Sequence, residues 1–204
     1  MKKLKILFLT LFFISIQSIS HSLIEVDISR GNLNPLPISV SPLFADKTSN
    51  NLLKNDLKLE NLGLKIADVI ENNLKQTGLF NPLSREAFLQ KPDIAHLKPR
   101  FEDWALIKSQ ALITGKIIYK DEKLKVEFRL WDILAGREML ALAFTTVPNN
   151  WRRVGHIISD KIYERLTGEK GYFDTRIIYV AETGPKTQRV KKLAIMDQDG
   201  FNTK

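Results

Sequence analysis

A change in the spacing of apolar residues near Ala111 is the feature that most constrains the fold of this chain. Apolar and polar residues alternate in the three segments that follow, 111–119, 124–130 and 138–145, and short polar turns separate them. A spacing of two is typical of strands that bury one face. The pattern therefore predicts a three-stranded antiparallel meander that buries Val126, Phe128 and Leu130 and leaves the residues between them in water.

Two longer segments have the spacing of amphipathic helices and could cover the buried face of the meander. Apolar residues recur at intervals of three and four in 50–77 and again in 151–166. Gly78 and Gly168 follow these segments, where a left-handed carboxyl-terminal cap is expected. Shorter helices are predicted between 84 and 109. Together these elements predict an α+β fold, in which helices pack on one face of a mixed or antiparallel sheet.

Two extended segments precede the first long helix. Residues 23–28 alternate apolar and acidic side chains, which predicts a strand with one polar face. Residues 37–44 also alternate, but they contain Pro37 and Pro42, which donate no ladder hydrogen bond. We therefore predict a short strand or an edge strand there.

The amino terminus has the layout of a secretory signal. Residues 1–5 include the basic residues Lys2, Lys3 and Lys5, and a short apolar run over 6–16 follows them. The run is shorter than the roughly 20 residues that a membrane-spanning helix needs. Small residues predict cleavage after Ser20 or Ser22, and we favour Ser22, so that residues 1–22 form the signal peptide. An uncleaved amino-terminal anchor is the alternative.

Composition excludes several classes of site. The chain contains no cysteine, so disulfides, thiol nucleophiles and cysteine metal sites are excluded. The net charge is +8, which would suit a polyanion partner. However, acids lie between the basic residues along the whole chain, and no run combines basic with aromatic residues. We therefore predict no nucleic-acid binding.

No pattern of residues predicts catalysis, a cofactor or a metal ion. Histidines are few: His21 lies next to the predicted cleavage site, and His96 and His156 lie far apart in the sequence. We expect both of the latter to be packing or surface residues. Glycine-rich phosphate loops are absent. Residues 197–200 resemble the start of a calcium loop, but the glutamate that would close such a site does not follow, so a β-turn is expected.

The last 30 residues change in character. Residues 175–182 and 190–196 have the pattern of two strands joined by a polar loop, the first hairpin of an all-β unit. Two strands alone are marginally stable in water and leave an open edge. We therefore expect this hairpin to need further strands.

Several of these segments resemble the TolB family, the periplasmic component of the Tol-Pal system. The resemblance rests on FRLWD at 128–132 and on the run VPNNWRRVGHIISDKIYERLTGEKGYF at 147–173. RIIYV at 176–180 and MDQDG at 196–200 resemble the start of that family's β-propeller, and ISVSPLF at 38–44 extends the match to the other end. The resemblance implies an amino-terminal α/β domain over 23–170, and a linker with the start of a truncated propeller over 171–204.

The resemblance also implies a function in protein binding, without catalysis. Members of the family connect TolA and other Tol components to the outer membrane, with roles in outer-membrane integrity, protein import and constriction at cell division. Their propeller binds the lipoprotein Pal, so Pal binding is doubtful for this chain. Their mature amino-terminal segment contacts TolA, and here it would comprise Leu23, Ile24, Glu25, Val26, Asp27, Ile28 and Ser29.

Two alternatives stay open. The segment from Leu23 could add as a strand to a partner's sheet, because its apolar side chains lie on one face, or it could be an ordinary first strand of its own sheet. The whole chain could also be an isolated periplasmic binding module or a split-gene fragment that lacks the propeller's function.

Overall fold

The computed structural model describes residues 24, 34–46 and 59–204. The predicted signal peptide, the predicted strand at 23–28 apart from Ile24, and the first part of the predicted helix at 50–77 lie outside these residues. Among the described helices, none is both long enough and apolar enough to cross a membrane. The elements are, in chain order, β1 (Leu36–Val40), β2 (Phe44–Ala45), α1 (Leu59–Gln76), β3 (Phe80–Pro82), α2 (Pro92–Ala95), α3 (Phe101–Leu106), β4 (Ala111–Lys120), β5 (Lys123–Asp132), β6 (Arg137–Thr146), α4 (Trp151–Thr167), β7 (Arg176–Thr183) and β8 (Val190–Asp197).

The main sheet is mixed and has the order β3-β1-β4-β5-β6, with β2 also paired to β4. Strands β4, β5 and β6 form the predicted antiparallel meander. Strand β1 pairs in parallel with both β3 and β4. Val126, Phe128 and Leu130 are buried as predicted, because alternate residues of β5 point to the same face. The predicted α+β fold is confirmed.

Strand β1 is short, as predicted, but it lies inside the sheet and not at an edge. Pro37 is tolerated there because the pairing of β1 with β4 starts one residue later, at Ile38. The carbonyl oxygen of Pro37 still accepts a hydrogen bond from the backbone N–H of Gln110, at 3.0 Å. The missing N–H of the proline therefore interrupts no bond of the β1–β4 ladder.

Helices α1 and α4 cover one face of the sheet. The apolar stripe of α1 and that of α4 enter the same core as the inward residues of β1, β4 and β5. The two helices approach closely at Gly155, where a Cβ atom would lie 2.9 Å from Cγ1 of Val69. Gly168 ends α4 with φ of 76°, as its position predicted. The close contact of α1 with α4 makes a single layer above the sheet.

The short helices α2 and α3 cover part of the opposite face, which the sequence pattern did not predict. Trp104 of α3 is buried in a second, smaller apolar cluster with Leu112 and Trp131. The indole N–H of Trp131 donates to Oγ1 of Thr114 at 2.8 Å, so the buried ring is satisfied. This cluster closes one end of the sheet on its second face.

Strands β7 and β8 form a separate two-stranded antiparallel sheet. The connection from α4 is fixed by Asp160, whose carboxylate accepts hydrogen bonds from the backbone N–H groups of Phe173 and Asp174, at 2.6 and 3.1 Å. The Phe173 side chain is buried and lies edge-on to Tyr163 of α4, with ring centroids 5.9 Å apart. Hydrogen bonds and ring packing therefore hold this connection against α4.

The packing of α1 predicts different costs for two identical substitutions on that helix. Leu62 is fully buried, whereas Leu64 is 42% exposed. We expect Leu62→Ala to lower the free energy of unfolding by about 2–5 kcal/mol, because it removes buried methyl groups and leaves a cavity. Leu64→Ala should change it by roughly 0.5 kcal/mol. Urea unfolding followed by circular dichroism measures both; similar losses would contradict the burial of this stripe.

Candidate functional site

Ile24 marks where the predicted partner-binding segment meets the α/β unit. Its backbone N–H donates to Oδ2 of Asp132 at 3.4 Å, and Asp132 is fully buried at the end of β5. The Ile24 side chain packs against the core and lines a groove of about 610 Å³ between β6 and α4. Leu140 and Leu142 form the strand side of this groove. Ile24 therefore makes a polar contact through its backbone, to Asp132, and apolar contacts through its side chain, in the groove.

Strand β6 forms one edge of the main sheet. In the part of the chain that is described, this ten-residue strand pairs only with β5. No other described strand covers its outer edge, and an extended segment can add to such an edge. Of the seven residues predicted to bind a partner, Leu23–Ser29, only Ile24 is among the described residues; the structure therefore does not test the segment as a whole.

A buried polar network joins α1 and α4 to the turn that follows β8. Asn73 of α1 donates from Nδ2 to Nδ1 of His156, at 3.0 Å, and to Oγ of Ser159, at 2.9 Å. Its Oδ1 accepts a hydrogen bond of 3.0 Å from Nε2 of Gln198. Asn73, His156 and Ser159 are all buried. One amide side chain thus connects both helices to the β7–β8 hairpin.

A charged pair lies beside this network. The guanidinium of Arg152 on α4 forms a salt bridge with Oδ2 of Asp199, in the turn after β8. The same guanidinium lies over the ring of Phe201, with Cζ 3.6 Å from the ring centroid. Nε2 of His156 lies 3.5 Å from the same Asp199 oxygen and makes no hydrogen bond. The hairpin is therefore attached to α4 by charge as well as by hydrogen bonds.

Burial lowers the pKa of His156 below its ordinary value, because removal of water disfavours the charged ring. Asp199 acts in the opposite direction by attracting the cation, and Arg152 adds to the lowering. Burial is the largest effect, so the neutral ring is favoured. The network opens to solvent through a cleft of about 260 Å³ that His156, Arg153, Asp174 and Lys204 help to line.

His156, Asp197 and Asp199 lie close enough to share a cation, with their ligand atoms within 4.8 Å of one another. Both carboxylates already have other partners. Arg152 neutralises Asp199, and Asn202 donates to Asp197. Residues 197–200 form the predicted turn, closed by a hydrogen bond of 2.9 Å from the N–H of Gly200 to the carbonyl of Asp197. We therefore interpret the cluster as a structural junction.

The amino-terminal part of the chain matches a known family. The model of the TolB amino-terminal domain matches residues 24–139. The chain belongs to the TolB family. It is 71% identical over 197 residues to the Tol-Pal system protein TolB of Pelagibacter ubique (strain HTCC1062), a match that covers 97% of this chain and 44% of that protein. The chain thus spans less than half the length of that relative.

A solved structure shows the same fold. The crystal structure of TolB from Acinetobacter baumannii matches with a TM-score of 0.67 and 22% identity, covering 89% of this chain and 41% of that one. The 197-residue match to the Pelagibacter ubique protein includes α4 and the β7–β8 hairpin, which lie beyond the family-model match. The predicted resemblance to TolB is confirmed.

Sequence reasoning missed most of the junction of this TolB-family chain. His156 is buried, and a packing position was one of the two environments expected for it. Its partner Asn73 lies 83 residues away, so no pattern in the sequence around His156 indicates the contact. A signal did exist, because Asn73 is a polar residue within the apolar stripe of α1. His96 lies elsewhere: its ring stacks on Phe44 at 4.5 Å and contacts the carbonyl of Pro92. The two histidines therefore do not form one site.

The network predicts that two neighbouring asparagines differ in importance. Asn73→Ala removes the partner of Gln198, His156 and Ser159, and we expect it to lower the free energy of unfolding by about 1–3 kcal/mol. Asn72→Ala is the matched control, since Asn72 is exposed on the same helix, and should change it by roughly 0.5 kcal/mol. Equal effects in thermal or urea unfolding would argue against a stabilising network.

Proposed function

We propose that this chain acts as a periplasmic adaptor of the Tol-Pal system and contacts TolA through Leu23–Ser29. Membership of the TolB family and the relative named a Tol-Pal system protein support the general role. We further propose roles in outer-membrane integrity, protein import and constriction at cell division. Binding of other proteins, without catalysis, accounts for a chain whose sequence carries no catalytic pattern.

The observation that carries the TolA proposal is the position of Ile24. Its N–H contacts Asp132 and its side chain lines the groove beside β6. The segment thus starts beside β6, which among the described residues pairs only with β5. Its residues Ile24, Val26 and Ile28 alternate with Glu25 and Asp27. Such a segment offers a partner both main-chain hydrogen bonds and a row of apolar side chains.

Export is part of the same proposal. The basic start and short apolar run at 1–22 favour a signal peptide that is cleaved after Ser22. Cleavage there would place Leu23 at the new amino terminus. The segment that binds TolA would then be freed by the same step that delivers the protein to the periplasm.

We propose that 23–170 form the amino-terminal unit and that 171–204 begin a propeller. The β7–β8 hairpin supports this division, because it pairs apart from the main sheet and exposes large apolar side chains. Ile178 is 65% exposed and Leu193 is 76% exposed. Further strands would cover such surface, as they do in a propeller. Pal binding would then require blades beyond this hairpin.

A binding experiment tests the TolA proposal. In the chain that starts at Leu23, Ile24→Ser, Val26→Ser and Ile28→Ser together should weaken binding to the periplasmic domain of TolA by at least about tenfold, because each removes apolar contact area. The matched control changes the other face, with Glu25→Ser and Asp27→Ser, and should bind less than about threefold more weakly. Isothermal titration calorimetry measures both affinities.

Three outcomes are distinguishable. Undetectable binding of the unmodified chain to TolA would contradict the adaptor role. Equal affinities for the triple variant, the control and the unmodified chain would be consistent with the adaptor role but would contradict the assignment of TolA binding to Leu23–Ser29. A triple variant that unfolds at lower urea concentration would favour the segment as a strand of its own sheet.

A further inference from the structure

The junction between the α/β unit and the β7–β8 hairpin contains one titratable ring at its centre. His156 is 2% exposed, and its two ring nitrogens face different elements. Nδ1 faces Asn73 of α1, and Nε2 faces Asp199 of the turn after β8. Any change in the proton content of this ring therefore acts on both sides of the junction.

The hydrogen-bond directions specify which form of His156 fits the junction. Oδ1 of Asn73 is occupied by the donor Gln198, so the Asn73 amide presents its NH₂ group to the ring. Nδ1 must then accept, which requires a neutral ring with its proton on Nε2. A protonated ring would place an N–H against the NH₂ group of Asn73. Turning the Asn73 amide relieves the clash but breaks its present hydrogen bonds to Gln198 and Ser159.

The charges around the ring do not compensate for this loss. Asp199 is the nearest carboxylate, but its Oδ2 already binds Arg152, which comes from one turn before His156 on α4. Asp174 lies before β7 and is held by both Nε and Nη2 of Arg153. Asp197, at the end of β8, faces Arg176 of β7 at 3.7 Å. The carboxylates around His156 are thus each paired with a cation, and the lining Lys204 adds a further positive charge.

We propose that His156 is a proton-sensitive latch, whose neutral form holds the β7–β8 hairpin and its following turn against α1 and α4, and whose protonation releases them. This inference concerns the junction alone and does not depend on binding to TolA. It makes the attachment of the hairpin dependent on the pH of the surrounding compartment.

The direction of the pH dependence follows from linkage. Burial lowers the pKa of His156 below 6.5 while the hairpin is attached, and release returns the ring to water. The released state therefore binds the proton more tightly. The stabilisation is fully present above pH 6.5 and is lost as the pH falls from there towards the lowered pKa.

Hydrogen exchange of the hairpin measures the latch directly. A two-stranded hairpin is only marginally stable by itself, so its ladder amides should exchange once it leaves the helices. We expect protection factors in β7 and β8, corrected for intrinsic exchange at each pH, to fall by up to about tenfold for each pH unit below 6.5, until the lowered pKa of His156 is reached. The β4–β5 ladder is the internal reference for opening of the whole α/β unit, and its protection should stay above that of the hairpin at each pH.

Two variants and one titration decide the outcome. His156→Gln cannot gain a proton and should make hairpin protection independent of pH, whereas His96→Gln, which alters the histidine stacked on Phe44, should retain the fall. The same fall in His156→Gln, or constant protection in the unmodified chain, would overturn the latch. If His156→Gln fails to hold the hairpin, NMR titration of the His156 ring decides: a midpoint below 6.5 that coincides with loss of protection supports the latch, and one at or above 6.5 contradicts it.

Discussion

The packing of α4 is the interaction on which the rest of the structure depends. Its apolar face lies on the sheet and against α1, where Gly155 allows the helices to approach closely. Its amino-terminal turns carry Arg152 and His156, which hold the turn after β8. Its carboxyl-terminal turns carry Lys161 and Arg165, which line the groove that contains Ile24. One helix thus contacts the core, the hairpin and the start of the predicted partner-binding segment.

This arrangement gives this TolB-family chain a physical connection between the β7–β8 hairpin and Ile24. A shift of the hairpin would act on the first turns of α4, and the proposed partner at Ile24 would act on its last turns. The helix spans only Trp151–Thr167, and its Arg165 also contacts the carbonyl of Met139 in β6, at 3.3 Å. Both sets of contacts are thus made by one helix.

The parts of the fold set by local patterns could be predicted from the sequence. Alternation gave the β4–β6 meander, and Gly168 marked the end of α4. The interior position of β1 could not be predicted, because its parallel partners lie far along the chain and Pro37 is typical of an edge. The junction was hidden for the same reason: His156 has no partner nearby in sequence, and Asn73 was one polar residue in an apolar stripe. Pairing over long separations leaves little local signal.

A double-mutant cycle between Asn73 and Gln198 tests most directly whether the helices hold the hairpin. The two side chains meet at 3.0 Å across the junction, from α1 to the turn after β8. Urea unfolding of Asn73→Ala, Gln198→Ala and the double variant gives their coupling free energy. We expect a coupling of at least about 0.5 kcal/mol, as for residues in one hydrogen-bond network. Additive effects within roughly 0.3 kcal/mol would contradict it.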